Sequence, residues 1–273
     1  MIPAAFDHLR VDTADEAVAA LVEHGDEAKV LAGGDSLIPL LKLRLAAPAV
    51  LVDVERVSEL DYVRDAGDHV AIGALTRHRD VERSPLLAAH APLLAHATGH
   101  VGDPQVRNRG TIGGSLAHGD PAADLPAVAL ALGATMVLQG PDGRRDVPVD
   151  EFFLGFLETA LRPDELLVEI RVPRSTDGWG FQKFRRRAQD WAVVGCAVTR
   201  RGDSTGVALV NMGSTAVRAT EVERALAGGA GAGPAAAPAA QGTGPPSDLH
   251  GSEEYRRHLA RVLVRRALEA AGH

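Results

Sequence analysis

The sequence predicts an α+β fold, on three observations. Short apolar runs of strand character alternate with amphipathic helical segments over the first half of the chain. From residue 166 onward, strand-like runs follow one another with no helix between them. A single long helical pattern then closes the sequence. At 273 residues, 45% hydrophobic and 24% charged, the chain has room for two or three subdomains, each with a core.

Thr13-Ala14-Asp15-Glu16 has capping-box form, and Ala17, Val18, Leu21 and Val22 give a short helix an apolar face before Gly25 ends it. AKVLAGG reads as a buried strand entering a Gly-Gly turn at Gly33 and Gly34, where positive φ angles come easily. PAVLVDVERV predicts a strand near residues 50–54, and HVAIGALTRHRDVERS a strand from Val70 that turns helical after Thr76. A second Gly-Gly turn falls at Gly113 and Gly114. Beyond it Asp120 is placed as an N-cap and Pro121 as the first helical residue, with Leu125, Val128, Ala129 and Leu132 at helical spacing up to Gly133. TMVLQG and LLVEIRVP are strands, the first leading into a turn at Pro141-Asp142-Gly143. After a boundary at 173–180, WAVVGCAVTR and GVALVNMG predict an antiparallel pair. Ser252 caps a last helix with Leu259, Val262, Leu263 and Leu268 on one side. Between 227 and 247 the sequence AGGAGAGPAAAPAAQGTGPPS holds almost no side chain of core size and is expected to be a mobile loop.

Composition narrows the function. The net charge of −7 argues against a nucleic-acid surface, although Arg185, Arg186 and Arg187 form a local basic cluster suited to an anion or a partner. Cys196 is the only cysteine, which excludes an internal disulfide and a cysteine-ligated zinc or iron–sulfur site. With no leader pattern and no run of 18 apolar residues, a cytoplasmic chain without a membrane span is expected.

Neither Gly-Gly segment is a Walker A loop, and neither has Gly-x-Gly-x-x-Gly spacing. What they offer is bare backbone amides able to form a nest for phosphate oxygens, with the hydroxyls of Ser36, Thr111 and Ser115 nearby. Two such nests suit a long ligand with two phosphates; either one alone reads as ordinary turn punctuation. Asp35 would repel a phosphate, so its side chain is expected to point away or to meet something other than phosphate. Asp124 is placed to accept hydrogen bonds from sugar-like hydroxyls, whereas periodicity alone makes it a solvated first-turn acid. His118 and Asp120 lack a third metal ligand, and GGSLAHGD around Ser115 is not a nucleophile elbow.

AGGDSLIPLLKLR (residues 32–44) and RNRGTIGGSLAHGDPAADLPA (residues 107–127) resemble the two FAD-contacting segments of the FAD-binding medium subunit of the molybdenum hydroxylase family. The likeness is greatest to the carbon monoxide dehydrogenase medium chain type, with the xanthine dehydrogenase FAD-binding subunit a more distant relative. ALVNMGSTAVRATEVERAL and SEEYRRHLARVLVRRAL resemble the C-terminal domain of that family. The resemblance implies a vanillyl-alcohol-oxidase/PCMH-type FAD-binding fold of two subdomains, residues 1–56 and 57–174, followed by an antiparallel sheet-and-helix domain at 178–273. It implies that Leu31, Ala32, Gly33, Gly34, Asp35, Ser36 and Leu37, with Thr111, Ile112, Gly113, Gly114 and Ser115, line the dinucleotide. Asp124 would take a ribityl or ribose hydroxyl, Leu167 and Lys183 match further flavin contacts, Val101 falls where some relatives place an aromatic, and Trp191 where relatives often carry one close to the isoalloxazine. No catalytic side chain and no metal ligand is implied.

The expected function is electron relay. A [2Fe-2S] small subunit would deliver electrons from a molybdopterin large subunit, and FAD would pass them to NAD, a quinone or oxygen. Two alternatives stand at this point: a stand-alone FAD oxidoreductase of the same fold, and a nucleotide-binding module without catalysis.

Overall fold

In the computed structural model, which describes residues 2–273, the first unit is a small parallel sheet. Strand β1 (Asp7–Arg10) leads into helix α1 (Ala14–His24), which returns the chain to β2 (Ala28–Leu31); helix α2 (Leu37–Leu43) then connects to β3 (Val50–Asp53). The strand order is β1-β3-β2, with both pairs parallel. Thr13 caps α1 as its residue type dictates: its hydroxyl accepts from the Glu16 N–H.

The second unit is antiparallel. Strands β4 (Val63–Asp65) and β5 (His69–Gly73) precede six short helices: α3 (His78–Arg83), α4 (Pro85–His90), α5 (Pro92–Thr98), α6 (Pro104–Arg109), α7 (Ile112–His118) and α8 (Asp124–Leu132). Strands β6 (Thr135–Gly140), β7 (Gly143–Pro148) and β10 (Leu166–Pro173) complete a five-stranded sheet of order β4-β5-β10-β6-β7. Between β7 and β10 a small hairpin forms from β8 (Phe153–Gly155) and β9 (Glu158–Thr159). Alternation along β6, and along β10 with a register break between Leu167 and Glu169, feeds two cores. Met136, Leu138 and Ile170 face the helices α3 to α8. Val137, Leu166 and Val168 face the apolar side of α1, Ala17, Val18 and Leu21. This second core joins the first unit to the second.

The third unit is a meander, β11 (Trp179–Phe184), β12 (Val194–Arg201), β13 (Ser204–Val210) and β14 (Val217–Arg218), followed by α9 (Thr220–Ala227), α10 (Ala232–Ala236) and α11 (Glu253–Ala270). Ser252 caps α11 by accepting from the Tyr255 N–H. Helix α8 lies between the second sheet and the third, and all nine of its residues are buried. A helix apolar on every side has no solvated face to offer, and this one has none.

Two expectations need correction. Helix α8 begins at Asp124, not at Pro121. The Asp120 carboxylate accepts from the Ala122 N–H at 2.8 Å, and the Pro121 carbonyl is taken by the Asn211 N–H at 2.8 Å, which together hold residues 120–123 as a turn. The 227–247 segment is also no bare loop. Ala232, Ala235, Ala236 and Ala239 pack into the core of the third unit with Leu259, Ala260 and Leu263. Arg257 fastens it by donating to the carbonyls of Ala240 and Thr243. Small side chains let the backbone come close to α11, so alanine itself is the anchor.

Replacing Ala235 by Leu should therefore overpack this contact and lower stability by about 1–3 kcal/mol, seen as a lower urea midpoint. An unchanged midpoint would return the segment to the surface.

Candidate functional site

Two glycine segments far apart in sequence meet where β2 ends and α7 begins. A Cβ added at Gly33 would stand 2.5 Å from the Arg109 carbonyl oxygen and 2.8 Å from the Gly110 Cα. One added at Gly113 would stand 2.5 Å from the Ala74 Cβ. Both positions require a missing side chain because backbone, not a yielding side chain, occupies the space. Positive φ is not the reason: of the four paired glycines only Gly34 adopts it, at +84°. The second segment is strapped to the end of β5, with Ile112 N–H donating to Thr76 O at 3.0 Å and Gly113 N–H to Ala74 O at 2.9 Å.

The two segments differ in what they offer a ligand. In the second, the Gly114 N–H goes to the Thr111 hydroxyl and the Ser115 N–H to the Thr111 carbonyl, so those amides are engaged. In the first, the N–H groups of Gly33 through Leu37 meet no acceptor among the described residues. The expected pair of nests is thus one nest, residues 33–37, facing one wall, residues 111–115. Asp35 turns toward the wall. Its Oδ2 lies 3.1 Å from where a Gly110 Cβ would stand. Loss of solvent raises its pKa, while Arg109 and then Arg77 pull it down, so basic side chains face it.

A cleft of about 870 Å³ runs from these segments to Trp191. It is lined by Ala32, Gly33, Gly34, Asp35, Ser36 and Leu37 on one side, and by Thr111, Gly113, Gly114 and Ser115 on the other. Val101, Asp124, Leu167, Lys183 and Trp191 continue it. Leu31 and Ile112 contribute no lining atoms, and Ile112 is turned into the core. The cleft also includes His78, Gly110, Leu157, Arg162 and Gln189, which the sequence did not single out. Gly110 had a local signal, since it adjoins Thr111. His78 had none: it is buried against Gly110, its Nδ1 has no partner, and burial, with Arg107 and Arg77, pushes its pKa down to about 4, leaving a neutral ring.

Asp124 is the most constrained group. It is 4% exposed, against the solvated acid that periodicity suggests. Lys183 Nζ, from β11, donates to Oδ2 at 2.6 Å and to the His100 carbonyl at 2.9 Å. Oδ1 is buried without any partner. Burial pushes the carboxyl pKa up to about 6, against the pull of Lys183 and of Arg185. An orphaned carboxylate oxygen in a cleft is an acceptor in search of a donor.

These features suit a long ligand that carries phosphates and hydroxyls, as a dinucleotide does, and comparison with known proteins gives the family. The family described as "FAD binding domain in molybdopterin dehydrogenase" matches residues 4–175, and "CO dehydrogenase flavoprotein C-terminal domain" matches residues 179–271. The chain belongs to that family: it is an FAD-binding medium subunit of the molybdenum hydroxylase type, an oxidoreductase with FAD as its cofactor. It is 45% identical over 282 residues to the carbon monoxide dehydrogenase medium chain of Hydrogenophaga pseudoflava, covering 99% of this chain and 98% of that one. It is 40% identical over 285 residues to the 6-hydroxypseudooxynicotine dehydrogenase complex subunit alpha of Paenarthrobacter nicotinovorans, covering 100% of this chain and 96% of that one. Among solved structures it resembles the Hydrogenophaga pseudoflava carbon monoxide dehydrogenase that lacks the Mo-pyranopterin moiety of its cofactor. The TM-score is 0.96 at 46% identity, over 99% of this chain and 98% of that one.

The residues present fit FAD. The free amides of 33–37 suit phosphate oxygens, the Asp124 Oδ1 suits a sugar or ribityl hydroxyl, and the cleft is within the size of ligand sites, about 300–1,000 Å³. Because the Asp124 pKa of about 6 lies above 3.8, the carboxyl contributes its full stability below pH 3.8 and loses it as pH rises through about 6. A hydroxyl donating to Oδ1 favours the carboxylate. Saturating FAD should therefore lower the Asp124 pKa, and FAD affinity should rise between about pH 5 and about pH 7. Carbon-13 NMR titration of the carboxyl in the free and FAD-saturated chain checks this. A pKa that does not move on binding would leave Oδ1 without a hydroxyl.

Proposed function

We propose that FAD lies along this cleft and that the chain relays electrons between a [2Fe-2S] partner and NAD, a quinone or oxygen. The pyrophosphate is held by residues 33–37 against the wall at 111–115, and a hydroxyl of the ribityl or ribose reaches Asp124. The flavin ring lies toward Val101, Leu167 and Trp191. The observation that carries this reading is the Asp124 Oδ1, buried and unpartnered beside two glycine segments that meet through bare backbone.

When bound, FAD supplies the ability to take electrons singly and give them up in pairs. The protein's part is binding, orientation and shielding. Lys183 offsets the Asp124 charge at 2.6 Å, so the cleft presents an acceptor without an unpaired anion. Burial raises the Asp35 pKa and Arg109 and Arg77 oppose that rise; the positive charge of the two guanidinium groups tempers the repulsion between its carboxylate and a phosphate. Leu167 is buried and removes water from one side of the cleft, while Trp191 is 56% exposed at its open end.

On this reading electrons enter from another protein. The single cysteine, Cys196, is fully buried, and burial raises its thiol pKa far above the ordinary range. No cluster of three metal-ligating side chains occurs among the described residues. The arginines at 185–187, of which Arg186 and Arg187 are exposed, together with the exposed Trp191, form the surface proposed for docking a partner subunit that carries the clusters, whereas Lys183, their neighbour in sequence, is buried on Asp124. A molybdopterin large subunit completes the complex. The relatives are themselves named as chains or subunits.

The purified chain loaded with FAD should show weak NADH or dye reductase activity, while carbon monoxide, aldehydes and purines go unoxidised. Steady turnover of any of these by the single chain would replace the relay with a stand-alone oxidoreductase.

A further inference from the structure

The part of the cleft that carries Trp191 is held in place by residues that do not line the cleft. Trp191 stands between an exposed turn and a buried one. Upstream, the Arg187 N–H donates to Asp190 Oδ2 at 3.1 Å and the Asp190 N–H to the Arg187 carbonyl at 3.2 Å, a turn at the surface. Downstream, Ala192 and Val193 are buried, and their carbonyls are met by side chains from two distant elements. Asn211, directly after β13, donates its Nδ2 to Ala192 O at 2.8 Å and to Val193 O at 3.3 Å. Arg256, in α11, donates Nη1 to Val193 O, while its Nη2 meets both carboxylate oxygens of Asp248 at 2.7 Å. Arg256 is 1% exposed, so its guanidinium is committed to these partners.

Asn211 has a second attachment. Its φ is +60°, and its N–H donates to the Pro121 carbonyl at 2.8 Å. Pro121 lies in the turn that places Asp124 at the start of α8. One residue thus grips the Trp191 segment with its side chain and the Asp124 turn with its backbone.

We propose that Asn211 and Arg256 are positioning residues for the cofactor cleft. Asn211 fixes the Trp191 side against the Asp124 side, and Arg256 locks the Trp191 segment from behind. The inference rests on the reading of the cleft as the FAD site. The residue types follow from the task. Asparagine tolerates left-handed backbone and still carries an amide donor, whereas glycine keeps the backbone and drops the donor. Aspartate would set a carboxylate against two carbonyl oxygens. Buried carbonyls that lose their donors are left unsatisfied, and the segment between them gains freedom.

The test uses the full chain with Trp179→Phe, which leaves Trp191 as the one indole, and the variants Asn211→Gly, Asn211→Asp and Arg256→Lys. Time-resolved anisotropy of Trp191 without FAD should show faster motion in Asn211→Gly, and more so in Asn211→Asp. In the same variants FAD should bind about tenfold more weakly, with an altered visible circular dichroism of the bound flavin. A global loss of stability alone would lower the melting temperature and leave the indole's local motion in the folded chain as it was. Folded Asn211→Gly and Arg256→Lys with unchanged Trp191 motion and unchanged FAD affinity would overturn the proposal. Trp191→Ala separates the two readings. If it leaves FAD affinity and circular dichroism as in the parent, the cofactor assignment of Trp191 fails while anisotropy still decides the positioning. If it alters both and the Asn211 variants alter neither, the positioning fails.

Discussion

Everything at the cleft depends on one close approach, Gly33 against the Arg109–Gly110 backbone. The 2.5 Å between an imagined Gly33 Cβ and the Arg109 carbonyl means that these chains meet without room for any side chain. That contact joins the parallel unit to the antiparallel one at the point where the first segment leaves its amides free. Around it the basic groups are shared: Arg77 donates to the Arg109 carbonyl and also reaches Glu55, which Arg109 itself contacts at 2.7 Å. His78, neutral and packed on Gly110, fills the space behind. The junction is dense, with the Asp35 carboxylate turned toward Gly110 and the cations of Arg77 and Arg109 set against it.

The second dependence is the buried pair of Asp124 and Lys183. Both side chains are about 5% exposed or less, and each takes the other out of the class of unpaired buried charge. A buried pair adds little net stability, since desolvation offsets most of its attraction. Its use here is geometric. Lys183 belongs to the third unit, Asp124 to the second, and the His100 carbonyl that shares the ammonium lies just before Val101 in the cleft. The pair therefore couples the C-terminal sheet to the cleft and leaves Oδ1 as an acceptor without a partner.

Local chemistry made some of this legible in the sequence and hid the rest. The caps at Thr13 and Ser252 are decided within four residues, so their helices were readable. The start of α8 was misplaced because the Asx turn at Asp120 competes with a helix, and its other constraint, Asn211, is 90 residues away. Alanines at 232–240 became core only because α11 comes to them, which composition does not announce. The burial of Asp124 depends on Lys183, 59 residues on, and the need for glycine at 33 depends on Arg109. Val101, Asp124, Leu167, Lys183 and Trp191, named from family resemblance and not from periodicity, line the cleft, while Leu31 and Ile112 do not, and His78 carries no sequence signal.

The central claim, that the cradle closes only because Gly33 lacks a side chain, is tested most directly by the FAD dissociation constant of Gly33→Ala measured by calorimetry. Gly233→Ala serves as the control, since a Cβ there meets nothing within 4 Å. The account predicts binding weakened by about tenfold or more at Gly33 and unchanged at Gly233, because a methyl group must push the two segments apart. Equal affinity for Gly33→Ala and the parent chain would contradict it.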